Sequence, residues 1–272
     1  MDAEILREAY EEIGRRGLSL EAFLHTCRME LEPFVFNCLR TRYGAIFQRN
    51  WDTCEIPKGT DKTIVLVERR IHPNLLFCIQ NAVYFARGWG LSIACSKVNR
   101  PFIEACLGRH ATSVSLYEVF DGIGTPTQGK DEYNALLQTP RFWRLFPESH
   151  LLMMETDAYL TKPLHPNIIS YDYAASKWPW APLSPGGGGL SYRKRSVMER
   201  LCAMDVPRSK AQDCFISDLI RQQRCTYPTY DAAPFGEFHY TPTMCGTHQW
   251  WTGFGGCSAA VVKEALTLAV DA

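Results

Sequence analysis

The sequence has no excess of either charge: 29 basic residues balance 29 acidic ones over 272 positions. Binding to nucleic acid or to an anionic membrane surface relies on surplus Lys and Arg, so neither is expected. No apolar run approaches the ~20 residues that span a bilayer. The start, Met1-Asp2-Ala3-Glu4, is acidic and leads into an amphipathic pattern, which is not how a signal peptide begins. No C-x-x-C pair occurs among the eleven cysteines, and their number is odd. Reduced thiols and a cytoplasmic setting are the expectation. A P-loop is missing as well. Gly186 to Gly189 stand together, but Leu190-Ser191-Tyr192-Arg193 follows where that motif needs Lys-Ser/Thr. The four glycines suit either a close approach of backbone to a ligand or a mobile linker.

What is present supports a large core, with 46% hydrophobic and 12% aromatic residues. Residues 1–60 read as helical: Ile5, Leu6, Ala9, Tyr10 and Ile13 recur at helical spacing, and Gly17 ends the run. Ser19 caps a second helix, and a third apolar segment, Phe34 to Phe47, is interrupted at Gly44. This region carries no recognisable chemistry and is expected to be a helical extension packed on the main domain, residues 61–272. From Thr63 onward strands alternate with helices: strands at Thr63–Val67, Leu91–Cys95 and Val114–Val119, helices at Leu75–Ala86 and Pro101–Leu107. That order predicts a mostly parallel, doubly wound α/β sheet. Asp121 to Lys130 reads as a loop, and Val261 to Val270 as a closing helix.

The central stretch is Leu151-Leu152-Met153-Met154-Glu155-Thr156-Asp157. Four apolar residues without alternation fit a strand buried on both faces. Ligands of open α/β sheets bind outside the carboxyl ends of strands, where Glu155 and Asp157 stand. Such a pair suits a hard divalent cation. Asp213, opening a helix, and Glu237 are two further carboxylates able to act as a general base. Four tryptophans (Trp178, Trp180, Trp250 and Trp251) offer faces to a sugar, though core packing accounts for some of them.

The order of these signals resembles the glycosyltransferase-like domains of large DNA viruses, bacteria and fungi, which have a GT-A type fold. The matching pieces are Val67-Glu68-Arg69-Arg70-Ile71-His72-Pro73-Asn74, Asn81 to Phe85, Tyr133-Asn134, Phe142-Trp143, Glu155-Thr156-Asp157, Tyr171-Asp172-Tyr173, Gly187 to Arg193, Asp213, and His248 with Trp250. The resemblance covers about residues 62–252. It implies a GT-A-like (Rossmann-like) sheet and transfer of a sugar from a nucleotide-sugar donor to a glycan or glycoprotein acceptor. It implies Mn²⁺ or Mg²⁺ held by Asp157, His248 and Glu155. It also implies a nucleotide-sugar met by Val67, Glu68, Arg69, Asn134, Glu155, Thr156 and Asp157, and Asp213 as the base of an inverting reaction. Two positions depart from the family: Glu155 where Gln is usual, and Gln212-Asp213 where Glu-Asp is usual. The second departure keeps a non-catalytic nucleotide-sugar or glycan-binding relative as an alternative. A zinc site at Cys245-Gly246-Thr247-His248 is disfavoured, because no second pair stands at metal spacing.

Overall fold

The computed structural model describes residues 2–208 and 211–252. The expected helix at Val261–Val270 lies outside the described residues. In chain order the elements are α1 (Asp2–Arg15), α2 (Leu20–Thr26), α3 (Glu32–Thr53), β1 (Lys62–Val67), α4 (Leu75–Phe85), β2 (Gly90–Ser96), α5 (Arg100–Leu107) and β3 (Ser115–Phe120). There follow α6 (Pro126–Leu137), α7 (Pro140–Trp143), β4 (His150–Met154), β5 (Ala158–Leu160), β6 (Tyr173–Ser176) and β7 (Gly187–Lys194). The chain closes on α8 (Arg195–Cys202), α9 (Gln212–Gln222), β8 (Phe235–Glu237) and β9 (Gly246–His248).

Six strands form the main sheet in the order β3-β2-β1-β4-β7-β6. β3, β2, β1 and β4 are parallel, and β7 runs antiparallel to both β4 and β6. This is the expected mostly parallel α/β sheet flanked by helices. Alternate residues of β4 enter two separate cores. Leu152 and Met154 pack with α3, α4 and α5, whereas Leu151 and Met153 pack with α7, α8 and α9. Burial on both faces explains the absence of alternation in the sequence.

Two local expectations give way to packing and capping. Helix α3 runs through Gly44 without a break. A glycine costs a helix only ~1 kcal/mol, and the surrounding Phe36, Leu39, Tyr43 and Phe47 are all buried. The supposed loop at 121–130 already contains the start of α6, because Thr125 and Gln128 form a reciprocal capping box ahead of the helix.

The helical region is also more deeply joined to the sheet than an appendage need be. Phe36 meets Phe77 and Trp251, and Phe47 meets Phe77, Tyr84, Phe85 and Tyr159. The boundary at 60/61 therefore marks a change of secondary structure rather than a gap in the core. Truncating one such buried Phe to Ala costs ~3–5 kcal/mol, out of a total domain stability of ~5–15 kcal/mol. Removing residues 1–53 should leave a product without a cooperative thermal transition, as read by calorimetry. A sharp transition near that of the intact chain would show that the α3 contacts are dispensable.

One cation is buried with neutral partners. Lys177 has no exposed surface, donates from Nζ to the Ser184 carbonyl at 2.8 Å and lies over the Tyr227 ring. Among the described residues no carboxylate is within ion-pair distance of it. Burial pushes its pKa from 10.5 down to about 8. The charge thus costs stability below about pH 8, and that cost fades between about pH 8 and 10.5, where only the unfolded chain still binds the proton. The full amplitude is on the order of 3 kcal/mol. Urea titrations of wild type and Lys177→Met at pH 7 and pH 10 should show the variant's relative stability falling by about that amount at the higher pH. A difference independent of pH would mean that Lys177 keeps its ordinary pKa.

Candidate active site

The site forms where β4 ends. Beyond Met154 the chain turns through Glu155-Thr156-Asp157 and returns as β5, which belongs to a second sheet ordered β5-β9-β8. The registers of this small sheet assemble the site. β9 lies between its partners, with His248 opposite Ala158 on one side and Glu237 on the other. Asp157 precedes Ala158, so pairing alone carries His248 to it across 91 positions.

His248 Nε2 lies 3.1 Å from Asp157 Oδ1 and 3.7 Å from Glu155 Oε2, and one ligand atom from each of the three residues falls within 4.8 Å of the others. On its far side Nδ1 is 2.8 Å from both oxygens of Glu237. Tyr133 donates its hydroxyl to Glu155 Oε1 at 2.7 Å, and the Gln249 amide donates to Asp157 Oδ2. Burial and the nearby Asp157 carboxylate raise the Glu155 pKa. Burial raises that of Glu237 too, against the pull of His248. Burial alone would lower the His248 pKa, but Glu237 and Asp157 hold it well above the ordinary imidazole value. Three carboxylates around one imidazole make a concentrated negative charge in a partly buried setting, which favours a cation.

Backbone strain marks the same place. Phe238 and Gln249, each next to a site residue, have positive φ values of 59° and 47°. Such conformations in residues other than glycine persist where surrounding structure imposes them, and they cluster at functional sites.

The glycine run resolves differently from both sequence readings. Gly187 to Gly189 open β7, and their missing side chains make room for other residues of the protein. A Cβ on Gly187 would meet the Trp178 indole at 2.6 Å, one on Gly188 the Gln212 amide at 2.2 Å, and one on Gly189 the His248 ring at 2.4 Å. The backbone is approached closely, as glycine permits, but by the protein's own site residues; nor is the segment a linker.

The other sequence candidates are spread around this centre. Glu68 is buried at the end of β1, accepts from the Arg70 guanidinium and amide at 2.8 Å, and accepts from Thr156 Oγ1 at 3.0 Å. Burial would raise its pKa, yet the bonds from Arg70 outweigh that and lower it. Val67 packs in the core. Arg69 turns away: its guanidinium lies over Phe120 and donates to the Gly122 carbonyl and Glu132. Asn134 accepts from the Gln212 backbone amide at 2.8 Å, tying α6 to the start of α9. Asp213 stands half-buried in the first turn of α9, outside the three-residue cluster, and its charge acts on both Glu237 and Tyr133.

Gln212 acquires a role that the sequence did not suggest. It accepts from both terminal nitrogens of Arg193 at 3.2 Å; Arg193 is fully buried between the Trp143 and Tyr173 rings. The departure at position 212 is thus a feature of a buried hydrogen-bond network. Trp250 and Trp251 are core residues, while Trp178 and Trp180 lie at the surface beside the site. Tyr133, Gln249 and the pairing of Glu237 with His248 were missed as site features. Only Tyr133 had a signal, its place beside Asn134.

A family described as "protein of unknown function (DUF5672)" matches residues 123–246, less than half of the chain. No curated protein sequence matches. The solved structures similar in fold include two glycosyltransferases. One is mouse xyloside xylosyltransferase 1 in its apo form, at 8% identity and a TM-score of 0.44, covering 77% of this chain and 94% of the other. The second is the apo form of the glycosyltransferase GlyE from Streptococcus pneumoniae TIGR4, at 9% identity and a TM-score of 0.46, covering 75% of this chain and 62% of that one.

Proposed function

We propose that this chain is a metal-dependent glycosyltransferase that moves a sugar from a nucleotide-sugar donor to a hydroxyl group of a glycan or glycoprotein acceptor. The observation that carries the reading is the convergence of Glu155, Asp157 and His248 at the carboxyl end of the central strand. Two carboxylates and an imidazole suit Mn²⁺, with Mg²⁺ as the other option. Such an ion, when bound, stabilises as a Lewis acid the negative charge that develops on a departing nucleoside diphosphate.

The chain's own groups have separable tasks. Glu237, accepting from Nδ1 of His248, fixes the tautomer that leaves the Nε2 lone pair for the cluster. Tyr133 orients Glu155 by its hydroxyl. Glu68, buried at the end of β1, fixes Arg70 and Thr156, and so positions those two side chains on the β1 side for the nucleotide. Asp213 is the general base: it accepts the acceptor's hydroxyl proton as that oxygen attacks the anomeric carbon opposite the leaving nucleotide, which inverts the configuration. Glu237, the competing candidate, is engaged by both oxygens with His248 and buried to 7% exposure.

The reading is tested by a thermal-shift screen of nucleotide sugars with and without Mn²⁺, since a ligand bound to the folded state raises apparent stability. At least one donor should raise the melting temperature only when Mn²⁺ is present, and that donor should be hydrolysed slowly without an acceptor. If none does so, the reading fails. In Asp213→Asn, donor affinity should stay near that of wild type while transfer falls by ~10²–10⁴, the usual contribution of a general base. Unimpaired transfer in that protein would move the base elsewhere.

A further inference from the structure

We propose that Trp180, continued by Phe238, is the acceptor subsite, and that it takes a carbohydrate ring laid with its C–H face against the indole. The inference rests on the glycosyl-transfer reading and names where the second substrate sits. Four rings form a staircase that starts at the cluster. Phe238 stacks on His248 with centroids 6.5 Å apart, Trp180 on Phe238 at 5.5 Å, and Trp178 on Trp180 at 6.2 Å with planes only 10° apart. Rings at such separations are offset, so each leaves part of its face open. Trp180 remains 63% exposed.

An exposed indole is no site by itself, but this one is held in place at several points. Trp178 is seated on Gly187, where no side chain could stand. Lys177 below it donates from its backbone to Phe235 and from Nζ to Ser184, whose hydroxyl bonds Ser217 of α9. Pro179, Pro182 and Pro185 stiffen the loop between. Phe238 is fixed by its strained backbone and by the hydrogen bond its backbone N–H donates to the His248 carbonyl at 2.9 Å. The loop is therefore built to present a flat apolar face beside the metal cluster.

Sheet order decides which substrate that face serves. β4 carries the acids, β1 with Glu68 and Arg70 lies on one side of it, and β7 and β6 lie on the other. A nucleotide received on the β1 side leaves the β6 and β7 side, where the staircase stands, to the acceptor. Polar groups follow Phe238 directly in the chain: its neighbour His239 is stacked by Tyr230 at 5.9 Å, and the Tyr230 hydroxyl bonds that imidazole. A face for C–H groups beside hydrogen-bonding edges matches a sugar, which has both.

Saturation-transfer NMR on the full chain with Mn²⁺ tests this, using maltose, cellobiose and lactose as probes. At least one disaccharide should receive saturation, strongest at the C–H protons of one ring face. Trp180→Ala and Phe238→Ala should weaken its binding by about tenfold, the value of one aromatic stack. Mn²⁺ affinity should remain at the wild-type level in Trp180→Ala. Absence of signal from all three sugars, or wild-type binding by Trp180→Ala, overturns the subsite. So does saturation of the base protons of UDP that is lost in Trp180→Ala, since that would put the nucleotide on the staircase. The two readings fail separately: sugar binding at Trp180 without Mn²⁺-dependent donor binding sinks glycosyl transfer, and the reverse sinks the subsite.

Discussion

In Asp157→Asn, Mn²⁺-dependent donor binding is expected to fall by at least ~10²-fold with the fold intact. The bound follows from magnitudes: losing a residue that merely orients a metal ligand costs ~10–100-fold in metal affinity, and Asp157 is proposed as a ligand itself. Its side chain accepts from the Gln249 amide and approaches His248 Nε2 at 3.1 Å. An amide in its place keeps one acceptor but turns an NH₂ group toward one of these neighbours, at a cost of ~1–3 kcal/mol. Removing one of three clustered carboxylates relieves repulsion and offsets part of that. The metal-free melting temperature should therefore move little, while the Mn²⁺-dependent shift disappears. Calorimetric titration of Mn²⁺ into both proteins, with circular dichroism as the folding check, reads the two effects apart. If the Asp157→Asn protein bound Mn²⁺ and donor as tightly as wild type, the cluster would not be the metal site.

The legible and illegible parts of this chain divide along a physical line. The main sheet could be read because a strand buried on both faces leaves a mark on itself: Leu151-Leu152-Met153-Met154 has no alternation, and Glu155 appears where the burial ends. The acids were found for the same reason. The second sheet left no such mark. β5, β8 and β9 are three residues each, too short for any period, and the pairing that carries His248 to the acids joins β5 to β9, segments some 90 positions apart. His248 could be connected to Asp157 only through family resemblance, and nothing local tied Glu237 to it. The glycine run misled for a related cause. A glycine that makes room for a distant side chain looks, in sequence, like one that makes room for a ligand. Gly44 misled in the opposite direction, since tertiary burial of its neighbours outweighs a weak helix propensity.

Gly189→Ala should abolish the site as effectively as loss of the histidine, and for a reason that can be isolated. The added Cβ would stand 2.4–2.5 Å from three atoms of the His248 ring. Neither side can give way cheaply. Gly189 accepts from the Glu155 amide at 2.9 Å within β7, which is paired on both edges, and the ring is gripped by Glu237 from behind and Asp157 in front. Overpacking of this kind costs ~1–3 kcal/mol, and the imidazole must leave its place. Mn²⁺ affinity should drop at least ~10²-fold, as for the loss of Asp157. A double-mutant cycle separates the steric cause from a general disturbance of the strand. With His248→Ala as the background, the obstructing ring is gone, so adding Gly189→Ala should cost well under ~1 kcal/mol and leave metal binding no weaker than in His248→Ala alone. Urea unfolding and Mn²⁺ titration of the four proteins supply both readouts. Equal destabilisation by Gly189→Ala in the two backgrounds would mean that the alanine acts on β7 itself, and that the glycine does not seat the histidine.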